Sequence, residues 1–185
     1  MTDRDGPGQV ELHTHTDVPA ALLPALWDVY TRSFGPLAYI AASRHVMPKE
    51  TFLVEMADPA ITKLIVTDAG RPVSMVTLTW DLELVSWVSP EFYRSRYPEQ
   101  SAAGRLFFIT NMLTDPDYHG HEPFLLLSAE MYRLGKGGVI GSDSCASVVT
   151  RGFVEAMRKR MLDLHDGKGT VEAVDTQTFF AFDLT

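Results

Sequence analysis

Apolar residues recur along the chain with two periods, and the changes between them mark out the elements. Val10–Thr16 (VELHTHT) alternates with period two, so it reads as a short strand with Val10 and Leu12 on one side. Asp17 and Pro19 then start a helix that carries Leu22, Leu23, Leu26, Trp27, Tyr30 and Phe34 at helical spacing and ends at Gly35-Pro36. A second helix is predicted over Pro48–Ala57, with Pro48 at its first position, Glu50 in its first turn and Asp58-Pro59 closing it. Two β-branched runs, Ile61–Thr67 and Val73–Trp80, flank the turn chemistry of Asp68–Pro72 and form an antiparallel hairpin.

The next stretch, 81–104, is an insert punctuated by Pro90, Pro98 and Gly104, with one or two helical turns over Pro90–Arg96. Arg105–Leu113 is a strongly apolar strand. Pro123–Leu134 is a helix with Phe124, Leu127, Met131 and Leu134 on one stripe, stopped by Gly135–Gly138. Val139–Ser144 reads as a strand and Ser147–His165 as a helix. Val171–Val174 and Thr178–Leu184 complete the pattern as two closing strands. Residues 1–8, rich in Gly and charge, are expected to be a disordered tail ahead of one domain over 9–185.

Composition narrows the functional classes. The 185 residues suffice for one domain, and 45% apolar with 22% charged residues is a globular mixture. A formal charge of -8 argues against a nucleic-acid partner, since phosphate binding needs clustered Lys and Arg. The single Cys145 excludes an internal disulfide. The first residues lack the apolar run of a signal peptide, and no stretch reaches the ~20 apolar residues that cross a bilayer, so a cytoplasmic location and no membrane partner are the expectation. His13-x-His15 and His119-x-His121 have no carboxylate spacing to accompany them, so no metal is expected.

Candidate chemistry concentrates at Leu113–Leu127, LTDPDYHGHEPFLLL, where an apolar strand runs into Pro116-x-Tyr118 and then onto an apolar helix. With the element order, this segment resembles the GNAT (GCN5-related N-acetyltransferase) superfamily over Val10–Leu184. Asp175-Thr176-Gln177 before the last aromatic run resembles a divergent, actinobacterial type of member. The resemblance implies an α+β, three-layer fold: a mixed, mainly antiparallel central sheet with helices on both faces.

It also implies an N-acyltransferase taking acetyl-CoA or another acyl-CoA as donor and an amine of a small metabolite as acceptor. Donor contacts fall on Asn111, Met112, Leu113 and Thr114 of the strand and on Tyr118, His119, Gly120 and His121 of the loop. Two glycines of the family's phosphate loop are replaced here, by Glu122 and Phe124. Glycines let backbone N–H groups approach a diphosphate, and a carboxylate opposes it.

Proton transfer needs a base and an acid. Asp81 and Glu83 are the candidates for the base. The family's Tyr acid is missing, and Ser144 or Cys145 stands near its place; Cys145 also reads as a buried structural thiol. Trp80, Trp87, Phe92, Tyr93 and Tyr97, with Arg94 and Arg96, give the insert an aromatic surface for an acceptor or, equally, a satellite core. Two further readings stand beside the first. An acyl carrier protein serves as donor, as in N-acyl amino acid synthases of this fold, or the domain is a non-catalytic binding module derived from it. The resemblance also implies pairing of two copies through the closing strands, where Phe179, Phe180 and Phe182 serve an interface or a core.

Overall fold

The computed structural model describes residues 10–42 and 46–181, so the N-terminal tail expected over 1–8 lies outside the described residues. Among the described residues five strands form one sheet in the order of the chain: β1 (Val10–His15), β2 (Ile61–Asp68), β3 (Arg71–Thr79), β4 (Leu106–Thr114) and β5 (Val139–Ser142). The first three pairings are antiparallel and β4–β5 is parallel. The hairpin β2–β3 turns through Ala69 (φ 48°) and Gly70 (φ 77°). Two successive positive φ values match the twist of the flanking strands, which explains the tight connection.

Helices α1 (Leu23–Phe34) and α2 (Lys49–Ala57) cover one face, where Leu26, Tyr30, Phe34, Phe52 and Met56 pack on Ile65, Met75 and Leu113. On the other face α5 (Glu122–Gly135) seats Leu127 and Met131 against Leu64, Val66, Val76, Leu78 and Phe107. α7 (Phe153–Leu164) adds Met157 and Met161 to that cluster. The insert forms α3 (Pro90–Arg96) and α4 (Pro98–Ala102). Its Leu82, Val85, Tyr93 and Tyr97 close a third cluster on Leu106 and Phe108. Much of the insert is therefore satellite core, although Trp87 and Phe92 keep a large exposed area. Among the described residues no helix is long and apolar enough to cross a membrane.

Two expectations are corrected. The helix over Ser147–His165 is two helices, α6 (Ala146–Thr150) and α7, because Gly152 stands at φ 82° between them. That left-handed residue cannot continue a right-handed helix. The closing strands are not formed over 171–181; Phe182–Leu184 lie outside the described residues. Instead Glu172 is drawn to Arg96 and the Tyr97 hydroxyl, Asp175 caps the N–H of Thr176, and Phe179 and Phe180 are exposed. Aromatic and β-branched residues favour a half-buried pleated surface, and no described neighbouring strand supplies one here.

β5 approaches β4 closely where glycine permits it. A Cβ at Gly138 would collide with the carbonyl of Arg105, and one at Gly141 would press on the Phe108 ring. Gly138→Ala is therefore expected to destabilise the protein by roughly 2 kcal/mol, because the obstruction is backbone and cannot swing aside. Urea denaturation of the variant measures this.

Candidate active site

The sheet opens between its two parallel strands. β4 and β5 are paired from Leu106↔Val139 to Ile109↔Ser142, after which β5 ends and β4 runs on to Thr114. Over Thr110–Thr114 the β5-side edge of β4 thus has no strand beside it among the described residues. β4 is also bulged at this point. Leu78 pairs with Ile109 and Thr77 with Asn111, leaving Thr110 as an extra residue. The extra residue resets the alternation, so Phe108, Asn111 and Leu113 share the face carrying Met75, Thr77 and Thr79.

Beyond β4 the chain crosses to the mouth of α5. Tyr118 N–H bonds the Asp115 carbonyl and Leu125 N–H bonds the His121 carbonyl. The N–H groups of His119, Gly120, His121, Glu122 and Phe124 find no acceptor among the described residues. Free donors at a helix start suit an anion. Against this, Glu122 folds back over the loop: a Cβ at Gly120 would meet its carboxylate and the Tyr118 ring. Burial pushes the Tyr118 hydroxyl pKa up, and the charges of Asp68 and Glu122 push it further. Glu122 also stands in the first turn of α5, where a negative charge stabilises the helix itself.

The loop is anchored by Asp115, whose side chain is 2% exposed. Arg32 of α1 grips both its oxygens at 2.7 Å, Arg71 at the start of β3 adds a contact at 2.7 Å, and Asp117 N–H donates at 3.0 Å. Arg32 also reaches Asp117 at 2.8 Å. Burial alone would raise the Asp115 pKa, but the Arg32 hydrogen bonds, the Asp117 N–H and the two guanidinium charges outweigh it and hold the carboxyl below its ordinary range. One carboxylate thereby ties α1, the hairpin and the end of β4 to the loop.

A second polar group lies on the α1–α2 face. Asn111 Nδ2 donates to Glu55 of α2 at 2.9 Å and to Thr77 Oγ1 at 3.0 Å, and Thr77 Oγ1 meets Thr110 Oγ1 at 2.7 Å. Lys63 of β2 is fully buried, donating to the carbonyls of Thr16 and Asp58. Burial lowers the Lys63 pKa, against the charges of Asp58, Glu55 and Asp17.

The residues singled out from sequence are distributed as follows. Met112 packs toward α5 and Leu113 toward α1, while Thr114 is exposed, with its hydroxyl on Ser74 at 2.8 Å and its carbonyl accepting from Ser33 at 2.9 Å. Tyr118 is half-buried against the α5-side cluster, and His119, Gly120 and His121 are exposed. Asn111, Met112, Leu113 and Thr114 lie on the stretch of β4 beyond its pairing with β5, and Tyr118, His119, Gly120 and His121 lie in the loop that follows. Asp81 and Glu83 lie elsewhere. They follow Thr79, which pairs with Phe108 on the closed part of β4, and both have structural duties: Asp81 accepts from Glu83 N–H at 3.1 Å, and Glu83 pairs with Arg94 at 2.8 Å. Ser144 is exposed just beyond β5, and the half-buried Cys145 has its Sγ 3.2 Å from Ser147 Oγ.

Two small cavities, of about 150 and 190 Å³, flank Trp80 near the start of β4, away from the opening. His13 and His15 lie 6.3 Å apart on β1, and no group of three or more metal-ligating side chains is gathered among the described residues.

No protein-family model and no curated protein matches the chain. Solved structures do. The ribosomal-protein-S18-alanine N-acetyltransferase of Escherichia coli superposes with a TM-score of 0.50 at 14% identity, over 80% of this chain and 76% of that one. The ribosomal-protein-alanine N-acetyltransferase of Brucella melitensis biovar Abortus 2308 gives 0.50 at 10% identity, over 95% and 100%. The aminoglycoside N-acetyltransferase AAC(6')-Iy, crystallised with CoA, gives 0.51 at 10% identity, over 96% and 99%. The chain has the fold of the GNAT acetyltransferases.

Proposed function

We propose that the protein is an N-acyltransferase that moves an acyl group from a thioester donor to the amine of a small molecule. The observation carrying this reading is the unpaired β5-side edge of β4 over Thr110–Thr114, opening beside the free amides of the α5 mouth. A thioester arm is an extended chain with amide groups, and a strand edge offers it ladder bonds. Backbone amides fixed in the fold also hold the oxyanion that develops when an amine attacks the carbonyl. Ser144, exposed at the end of β5, is the group we assign to protonating the departing thiolate, with Cys145 as its neighbour.

The fit to an acyl-CoA is good along the strand and poorer at the loop. His119 to Phe124 present enough free amides for a phosphate group, yet the Glu122 carboxylate lies over Gly120. This favours a second reading in which the arm is delivered by an acyl carrier protein, whose pantetheine bears one phosphate. Calorimetry with acetyl-CoA and longer acyl-CoAs, beside gel-shift titration with acylated carrier protein, tests both. Binding of either donor supports acyl transfer and selects between the sources; no binding of any donor removes it. Donor binding without transfer to any amine would leave a binding module.

A further inference from the structure

Polar side chains occupy the middle of a sheet face that is otherwise apolar. On the α1–α2 face, one cluster gathers Leu26, Phe52, Ile65, Met75 and Leu113, and another gathers Leu82, Val85, Leu106 and Phe108. Between them run Thr77, Thr110 and Asn111, each no more than 6% exposed, with Glu55 reaching down from α2. Such a seam carries a desolvation cost that its hydrogen bonds offset. Its position is informative. Asn111 stands two residues past the last β4–β5 pair, on the stretch where the sheet opens, and the Thr110 bulge is what turns it to this face.

We propose that Glu55 is the proton acceptor for the attacking amine, held in place by Asn111, and that the acceptor is a primary amine arriving as its ammonium ion. The proposal rests on the acyl-transfer reading above. Glu55 is half-buried and keeps some contact with solvent, whereas Asn111 is buried and serves to orient it. Nothing comparable exists at Asp81, which caps a helical turn, or at Glu83, which is neutralised by Arg94.

The step balances without a further reactant. One proton of R–NH3+ passes to the Glu55 carboxylate. The nitrogen lone pair forms the C–N bond to the thioester carbonyl carbon, the C–S bond breaks, Ser144 gives its hydroxyl proton to the thiolate, and the second nitrogen proton passes to Ser144 and restores it. Glu55 then returns its proton to water, leaving amide, thiol and one released proton. Burial pushes the Glu55 pKa up, the direction that makes its carboxylate a stronger base. Hydrogen bonds from Thr77 and Asn111 and the charge of Lys63 oppose this, while Asp58 adds to it.

Glu55→Gln, Glu55→Asp and wild type are compared in two assays. In the first, acetyl-CoA or acylated carrier protein, whichever binds, is supplied with putrescine and ethanolamine across pH 5.5–9. Glu55→Gln is expected to bind donor within about twofold of wild type but to turn over about 100-fold more slowly, with the acid limb of the wild-type profile gone and part of the rate recovered in Glu55→Asp. Unchanged turnover or an unchanged acid limb overturns the proposal. In the second, putrescine alone is titrated while the Asn111 side-chain amide is followed by NMR. A shift in wild type that Glu55→Gln abolishes is expected, and no shift in wild type overturns the proposal. If no donor binds, acyl transfer fails as a reading, and the second assay still decides whether Glu55 receives an amine.

Discussion

Replacing Asp115 by Ala is expected to lower the stability of the protein by about 3 kcal/mol, near the lower end of what removing one partner of a buried ion pair costs. The carboxylate is 2% exposed, and two guanidinium groups and a backbone N–H are arranged around it. The loss stays at the lower end because Arg32 and Arg71 are 29% and 62% exposed and recover hydration once their partner is gone. Chemical denaturation reads the change. Donor binding should fall with it, since Asp115 fixes the start of the loop whose amides face the α5 mouth.

The same residue sets a pH dependence. Its folded pKa is held below the ordinary 3.8. The stability it contributes is therefore complete above the unfolded value and is lost as the pH falls through the folded one. Wild type should show this loss below about pH 4, and Asp115→Ala should lack that component when the two acid unfolding curves are compared.

Removing the charge of Glu122 is expected to tighten acyl-CoA binding about tenfold in Glu122→Gln. A carboxylate about 6 Å from a phosphate in partly screened surroundings costs on the order of 1.4 kcal/mol, which is that factor. Glu122→Gly should gain at least as much, because it also clears the space over Gly120. Phe124→Gly separates charge from bulk: Phe124 is half-buried in the first turn of α5, so the change weakens the helix while removing no charge. Carrier-protein affinity should respond less than acyl-CoA affinity, since one phosphate replaces two. Calorimetry on the three variants measures the set, and equal affinities for wild type and Glu122→Gln would show that the loop carboxylate does not govern the donor.

The sheet and most helices were legible in the sequence because their signals are local. The β2–β3 hairpin needs only two β-branched runs and the Ala69-Gly70 turn, and α5 needs only its apolar stripe ending at Gly135. Gly152 broke the predicted long helix because spacings of three and four persist across a single left-handed residue. The aromatic run from Thr178 carries strand composition without a described strand to pair with, and composition alone does not reveal a missing partner.

The site was less legible. Asp115 carries no local signal, because its partners lie 83 and 44 residues away in sequence. Glu55 carries no signal in the sequence beyond its helix position, since its contact with Asn111 depends on a one-residue bulge that turns Asn111 inward. No periodicity announces a bulge. Asp81 and Glu83 follow an apolar strand, yet that end of the strand faces the closed half of the sheet. The two adjacent His-x-His and glycine-poor features of the loop were visible from sequence; the fold of Glu122 over Gly120 was not.

Amide hydrogen exchange with and without a saturating thioester donor tests most directly whether the separated strands form the binding cleft. Protection gained at the amides of Met112 and Thr114, which face the open edge, and at those of His119–Glu122 and Phe124 is the expected result. Donor binding that leaves those amides exchanging as before, with protection elsewhere on the molecule, would contradict it.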